Sequence, residues 1–371
     1  MKNAFTIKLI ATYSILTWAN ASFSQEKVVF ATNWKAQAGH GGFYQALADG
    51  TYKKMGLDVE IQQGGPQVNN RPLLPVGKID FLMGGNLLQS FDNVKNGVPT
   101  TVVAAIFQKD PQAIFAHPGQ GYDKFSDVAK AGTVFISKDG QFSFWQWMKA
   151  EHGFKDEQLK PYAFNVGPFL ADKKSAQQGY SISEPISIKA QAGFDPVVHL
   201  LADKKSVQQG YSISEPVSIK AQAGFDPVVH LLADNGFSTY STTIETRADL
   251  VRDKPAMVQR FVDASLIGWY NYLYGDNKAA NEMIMKANPD TSAANIAGSI
   301  ELMKKLGIVD SGDALQNGIG SMSTLRVKDF YDKMVKAGLY KAGDVDLGKV
   351  ATTQFVNKKS GMDVKQKLGV K

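Results

Sequence analysis

The chain has no cysteine. That excludes disulfides, thiolate metal sites and a cysteine nucleophile, and it suits an oxidising compartment as well as a reducing one. Beyond the first residues there is no uninterrupted apolar run of transmembrane length. Histidines are few and scattered singly: His117, His152, and His199 with its duplicate His230. Their spacing with Asp and Glu does not resemble a metal site, so neither a metal nor another cofactor is expected. No P-loop or G-x-S-x-G element occurs. The net charge of +6 is spread along the sequence. Without a basic tract, nucleic-acid binding is not expected, and the positive balance is at most a mild steering field for an anion.

What is present begins with a leader. Met1-Lys2-Asn3 precedes a mostly apolar stretch to Trp18, and small residues follow at Ala19-Asn20-Ala21 and Ser22-Phe23-Ser24. This is the pattern of a secretory signal peptide over residues 1–24, cut after Ala21 or Ser24. The run is too short for an anchor.

The most informative segment runs from Val28 to Ile61. VVFAT is a β-branched strand, Asn33 to Gly42 a polar loop carrying an exposed-looking Trp34 and His40, and GFYQALADGTYKKMG a helix closed by glycine. LDVEI then alternates as a second strand. Ligands of α/β domains bind in loops leaving the carboxyl ends of strands. Further strand signals are IDFLMG, TVVAAIFQ, AIFAHP, TVFIS, YAFNV, GYSIS, VVHLLAD and STYSTTIETR, with helical segments between them. The alternation predicts an α/β architecture with mainly parallel sheets. From Lys254 onward helices dominate, with Met257, Phe261, Leu266, Trp269 and Leu273 at helical spacing.

Leu170–Leu200 and Leu201–Leu231 are nearly identical, differing only at Ala176/Val207 and Ile186/Val217. Solenoid repeats come in several diverged copies with atypical caps. A recent in-frame duplication or a sequence-assembly error fits better. Each unit reads as helix (ADKKSAQQ), strand (GYSIS), Glu-Pro, helix and strand. The two copies compete for one structural slot, and the surplus one costs stability.

Asn33, Trp34, Ala36, His40, Phe43, Tyr44, Ala46, Gly50, Tyr52, Gly56, Leu57, Asp58 and Val59 form a spaced signature. It resembles the opening of periplasmic substrate-binding proteins of ABC importers, in the superfamily serving sulfonates, nitrate and thiamine-pyrimidine precursors. The likeness continues through Gly77–Phe81, Asn96–Pro99, Ser183-Glu184-Pro185 and Lys254–Phe261. It implies a two-lobed, type II periplasmic binding protein fold with a helical C-terminal region. Lobe one would hold 25–107 plus 238–371 and lobe two 108–237, with crossings near Phe107-Gln108 and Gly236–Tyr240 acting as a hinge. The implied partners are a small solute and an inner-membrane permease. The implied state is a periplasmic monomer.

The site residues follow from loops and resemblance together. Trp34 can stack on a planar ligand, and His40 can donate or accept one hydrogen bond. Tyr44 offers a hydroxyl one turn into the helix. Gly65, Gln67 and Asn69 belong to a glycine loop whose amides can cradle an anion. Gly85 and Asn86 are expected in a second such loop. In lobe two, Ser137 follows a strand. One or two of Phe142, Phe144, Trp145 and Trp147 must leave the core, with Phe142 the candidate. Glu184 or its copy Glu215 ends a strand and can accept from an aminopyrimidine. Each has a plain alternative, such as core packing for Trp34 and Tyr44 or a surface Glu before a Pro-started helix. The resemblance favours a thiamine-pyrimidine precursor or similar nitrogen heterocycle, with an alkylsulfonate, taurine or nitrate as the other class. An enzymatic branch, the thiamine-pyrimidine synthases, uses an iron site near a cysteine-rich motif and an active-site histidine. This chain has no cysteine and no histidine between Gly41 and Ala116, so a non-enzyme is expected.

Overall fold

The structure is a computed structural model. It describes residues 25–65, 67–117, 119–122, 124–162, 167–180, 188–189, 191–194, 196–200 and 239–370. The leader, the second repeat copy, Glu184 and Glu215 lie outside the described residues.

The described strands are, in chain order, β1 (Glu26–Ala31), β2 (Leu57–Gln62), β3 (Phe81–Asn86), β4 (Thr100–Phe107), β5 (Gln112–Ala116), β6 (Thr133–Ile136), β7 (Leu159–Pro161), β8 (Ser175–Tyr180), β9 (Val197–Leu200) and β10 (Ser241–Arg247). They build two five-stranded sheets, ordered β2-β1-β3-β10-β4 and β7-β6-β8-β5-β9. In each sheet four strands run one way and one runs against them. The reversed strand is β10 between β3 and β4, and β5 between β8 and β9. Among the described strands, each reversed strand is the first after the chain passes from one sheet to the other. The all-α/β expectation holds, with this one antiparallel insertion per sheet added.

Several local expectations shift. The first helix stops at Ala48, and a separate turn of helix covers Thr51–Lys54. Between them Gly50 takes φ of 75°, a left-handed conformation that glycine adopts without strain, and Asp49 Oδ1 accepts from the Thr51 amide at 2.9 Å. The segment read as helix ADKKSAQQ ends instead in β8. Ser175–Gln177 pairs parallel to β6, while Ala176–Tyr180 pairs antiparallel to β5. Two ladders satisfy its backbone groups, and this tertiary pairing overrides the helical propensity of Lys, Ala and Gln. Of the strand expected at YAFNV all but Tyr162 lies outside the described residues, and β7 at Leu159–Pro161 directly precedes it. Both β8 and β9 come from the first repeat copy.

The first sheet is packed by the long helix Pro255–Tyr274, which starts with Pro at its first turn and buries Met257, Phe261, Leu266, Trp269 and Leu273. Phe261 stacks on Phe81, ring centroids 4.0 Å apart, and on Tyr52 at 5.5 Å. The helix Gly41–Ala48 crosses it closely. A Cβ at Gly42 would lie 2.2 Å from the Trp269 ring, and one at Gly268 would lie 2.3 Å from the Gly42 carbonyl oxygen. Glycine is required there by contact rather than by backbone angle. This packing fixes the loop that leaves β1.

Arg326, on the helix Thr324–Lys336, ties together the two connections between the sheets. Its Nη2 donates to the carbonyl of Gln108 and, at 3.3 Å, to that of Thr239.

Candidate functional site

The loop after β1 is pinned from both sides. Thr32 Oγ1 donates to the Trp34 carbonyl at 2.7 Å, and the Gly64 amide donates to the same carbonyl at 3.2 Å. Asn70 Nδ2 donates to the Thr32 carbonyl at 3.0 Å. A side chain at Gly64 would fall 2.6 Å from that carbonyl oxygen, so the glycine loop after β2 lies directly on the loop after β1.

Trp34 is buried rather than exposed. Its ring lies against Tyr162, centroids 6.0 Å apart and planes inclined by 22°. Tyr162 follows β7, so the pair joins a loop of the first sheet to a loop of the second. Gln67 adds a second link, its Nε2 donating to the Tyr162 carbonyl at 2.9 Å. Trp34 and Gln67 therefore meet at one cross-sheet contact. Asn33 and Asn69 meet Asn70 and Arg71 around a small recess of about 10 Å³. Asn69 and Arg71 also line a much larger cleft, of about 1100 Å³, together with Gln89, Asp92, Phe142 and Ser143. That size is at the upper end for a small-molecule site.

Phe142 is half-exposed at the cleft, while Phe144, Trp145 and Trp147 are buried, as the crowding of four aromatics predicts. Ser137 is buried and works locally. Its amide donates to Gln178 Oε1 at 2.6 Å, and its hydroxyl accepts from the Gly140 amide at 3.1 Å. Gly85 and Asn86 belong to β3 itself, not to a loop. Asn86 caps the helix Leu87–Lys95, its side chain accepting from the Leu88 amide. The strand runs on because Gly84 leaves room for its neighbours on β10. A Cβ at Gly84 would lie 2.5 Å from both Glu245 Oε1 and Thr243 Oγ1. Gly65 makes an isolated bridge with Val68.

His40 is fully buried in the 3-10 turn Ala38–His40, contrary to its exposed appearance in sequence. Neither ring nitrogen has a hydrogen-bond partner among the described residues, and burial pushes its pKa down to about 3. It is a neutral imidazole within the packed interior. Tyr44 is buried on the following helix, and burial pushes its phenol up to about 12.

The sequence reading missed Tyr162, Gln89, Arg71 and Glu245. Arg71 directly follows the glycine loop, and Glu245 is the one acid within the otherwise uncharged run STTIET. A lone acid in a buried strand signals a partner. Here Arg71 Nη1 donates to Glu245 Oε2 at 2.7 Å and Nη2 to Oε1 at 3.1 Å. Arg71 Nε donates to Gln89 Oε1 at 2.8 Å, and Ser90 Oγ donates to Glu245 Oε1 at 2.9 Å. The other cations lining the cleft are paired too, Lys95 with Asp344 and Lys149 with Asp156, each at 2.9 Å. Asp92 accepts from the Tyr340 hydroxyl at 2.8 Å. Burial holds its carboxyl above the usual range, against the opposing pull of that hydrogen bond.

The NMT1/THI5-like family model matches residues 37–280. The chain belongs to the NMT1/THI5-like family. Among curated proteins none shows significant sequence similarity to it. Among solved structures, a protein from Bordetella bronchiseptica RB50 superposes with a TM-score of 0.60 at 16% identity, covering 93% of this chain and 99% of that one. The periplasmic nitrate-binding protein NrtA from Synechocystis PCC 6803 gives 0.53 at 12% identity, covering 92% and 89%. The periplasmic sulfonate-binding protein SsuA from Methylobacillus flagellatus KT gives 0.51 at 13% identity, covering 94% and 96%. This NMT1/THI5-like protein thus has the periplasmic binding protein fold.

Proposed function

We propose that this protein is the solute-binding subunit of an ABC importer. In this reading it captures a small planar nitrogen heterocycle, such as a thiamine-pyrimidine precursor, between two lobes in the periplasm and hands it to a membrane permease. Family membership and the fold shared with ABC-importer binding proteins support the importer role. The lobes are 25–107 plus 238–371 and 108–237, each built around one of the two sheets.

The observation that carries the ligand class is the Trp34–Tyr162 pair. Both residues sit just past the carboxyl ends of parallel strands, where α/β folds bind ligands. Their 6.0 Å separation is toward the loose end for a direct aromatic pair. Hinge opening parts them, and a planar ring can then replace the partner face on each side. The pairing of every cation at the cleft fits an uncharged guest. A second reading, an alkylsulfonate, taurine or nitrate ligand, draws on the nitrate- and sulfonate-binding relatives in fold. The absence of cysteine favours binding over synthase-type catalysis.

Thermal-shift titration of the mature protein tests the ligand. An aminopyrimidine should raise the melting temperature, while taurine and nitrate should not. Trp34→Ala should weaken aminopyrimidine binding by roughly thirtyfold or more, the loss expected of an aromatic anchor. An unchanged affinity removes Trp34 from the site. A large shift with taurine alone moves the assignment to the second reading.

A further inference from the structure

The first sheet carries a charge arrangement that the solute-binding reading alone does not require. Arg71 lines both the large cleft and the recess beside Asn33. A guanidinium there is an obvious receptor for an anion, since its planar fork matches sulfonate or carboxylate two-pronged. That fork is already filled. Glu245 takes both Nη groups, and Gln89 takes Nε.

Glu245 is held in place by the fold. Its side chain is fully buried, against 15% exposure for that of Arg71. On β10 it faces Leu82 of β3 and Val102 of β4, next to a register shift after Ile244. Gly84 leaves the space that its carboxylate occupies. Ser90 supplies a further hydrogen bond. All of these groups stand on the first sheet and its own connections. The hydrogen bonds of the pair named here thus come from the first-sheet side of the cleft.

We propose that Glu245 sets the charge selectivity of the cleft. By holding Arg71 in a bidentate ion pair it withdraws the guanidinium from incoming anions, so that the cleft favours uncharged or cationic solutes. Glu245 is a specificity-determining residue that acts through Arg71 and does not itself touch the solute. The inference rests on the proposed solute-binding function and takes the cleft lined by Arg71 as part of the solute site.

Calorimetric titration of the full mature chain tests it, with ethanesulfonate, nitrate and a neutral aminopyrimidine as probes. Glu245→Gln keeps the shape and removes the charge. Its affinity for ethanesulfonate should rise by roughly tenfold to a hundredfold, the worth of a hydrogen bond to a charged group. In the double variant Arg71→Gln/Glu245→Gln the gain should vanish. If Glu245→Gln melts too early for titration, its melting temperature is read in ethanesulfonate against chloride at equal ionic strength. It should rise in ethanesulfonate by more than that of the double variant. Equal responses of the single and double variants overturn the proposal. The wild-type results test the underlying reading separately. Wild-type protein that binds none of the probes sinks the solute-site reading. Wild-type protein that binds the aminopyrimidine, beside a Glu245→Gln variant that gains no anion affinity, sinks only the role of Glu245.

Discussion

The guanidinium carbon of Arg326 lies 4.1 Å from the centre of the Tyr240 ring. The same guanidinium reaches the carbonyls of Gln108 and Thr239, one on each connection between the sheets. Tyr240 in turn donates to Asp313 and accepts from the Ser323 amide. One side chain thus braces both crossings against a ring that is itself fixed.

Arg326→Leu should therefore loosen the proposed hinge as well as the fold. Losing the carbonyl contacts and the ring contact should cost about 1–3 kcal/mol, measured by urea unfolding. Solute affinity should fall several-fold, because a looser hinge populates the closed form less. Arg326→Lys should recover part of the stability but not the reach to both carbonyls.

His40 makes stability depend on pH. Its folded pKa, about 3, lies well below the ordinary histidine value of 6.5 because burial disfavours the cation. Between those values the unfolded chain binds a proton that the folded chain refuses. Stability should thus be lost as pH falls from about 6.5 toward 3, with a slope approaching about 1.4 kcal/mol per unit from this group. Urea midpoints at several pH values should show the His40→Met variant with a shallower slope. Parallel slopes would remove His40 as the cause.

Gly268→Ala tests the helix crossing behind the β1 loop. Its new methyl would meet the Gly42 carbonyl oxygen at 2.3 Å and the Ala46 Cβ at 2.7 Å. Backbone cannot yield cheaply, so the expected loss is about 1–3 kcal/mol in chemical denaturation. A neutral result would mean that the two helices can part without penalty.

Deleting residues 201–231 removes the second repeat copy and leaves the first. Because β8 and β9 come from the first copy, the shortened chain should fold with an equal or higher melting temperature. It should also bind the same solute. A chain that fails to fold after this deletion would show that the second copy is needed.

The sequence exposed the elements whose signals are local. The strand at Val28, the start of the helix after the loop and the long apolar helix around Phe261 stand where their patterns place them. The errors came where distant partners decide. Ser175–Tyr180 becomes a strand because β5 and β6 flank it, which no local propensity encodes. Gly85-Asn86 reads as a loop, yet it is strand because Gly84 before it makes room for Glu245, far along the chain. Trp34 and His40 read as exposed because polar neighbours surround them in sequence, while Tyr162 and the helical layer cover them in space. The Arg71–Glu245 pair was hidden for the same reason. Glu245 in its uncharged run signals a partner without naming it, and only the fold brings Arg71 to it.

The placement of β10 also governs the order of assembly during synthesis. Every described strand of the second sheet lies between residues 112 and 200, so those strands can pair as soon as their own segment leaves the ribosome. The first sheet cannot. The strand neighbour of β4 is β10, which emerges only after the whole second sheet has been made. Until then TTVVAAIF presents a bare, β-prone edge of the kind that aggregates. The nascent chain must therefore carry an unfinished first half past a finished second one, and any duplication between β9 and β10 lengthens that wait.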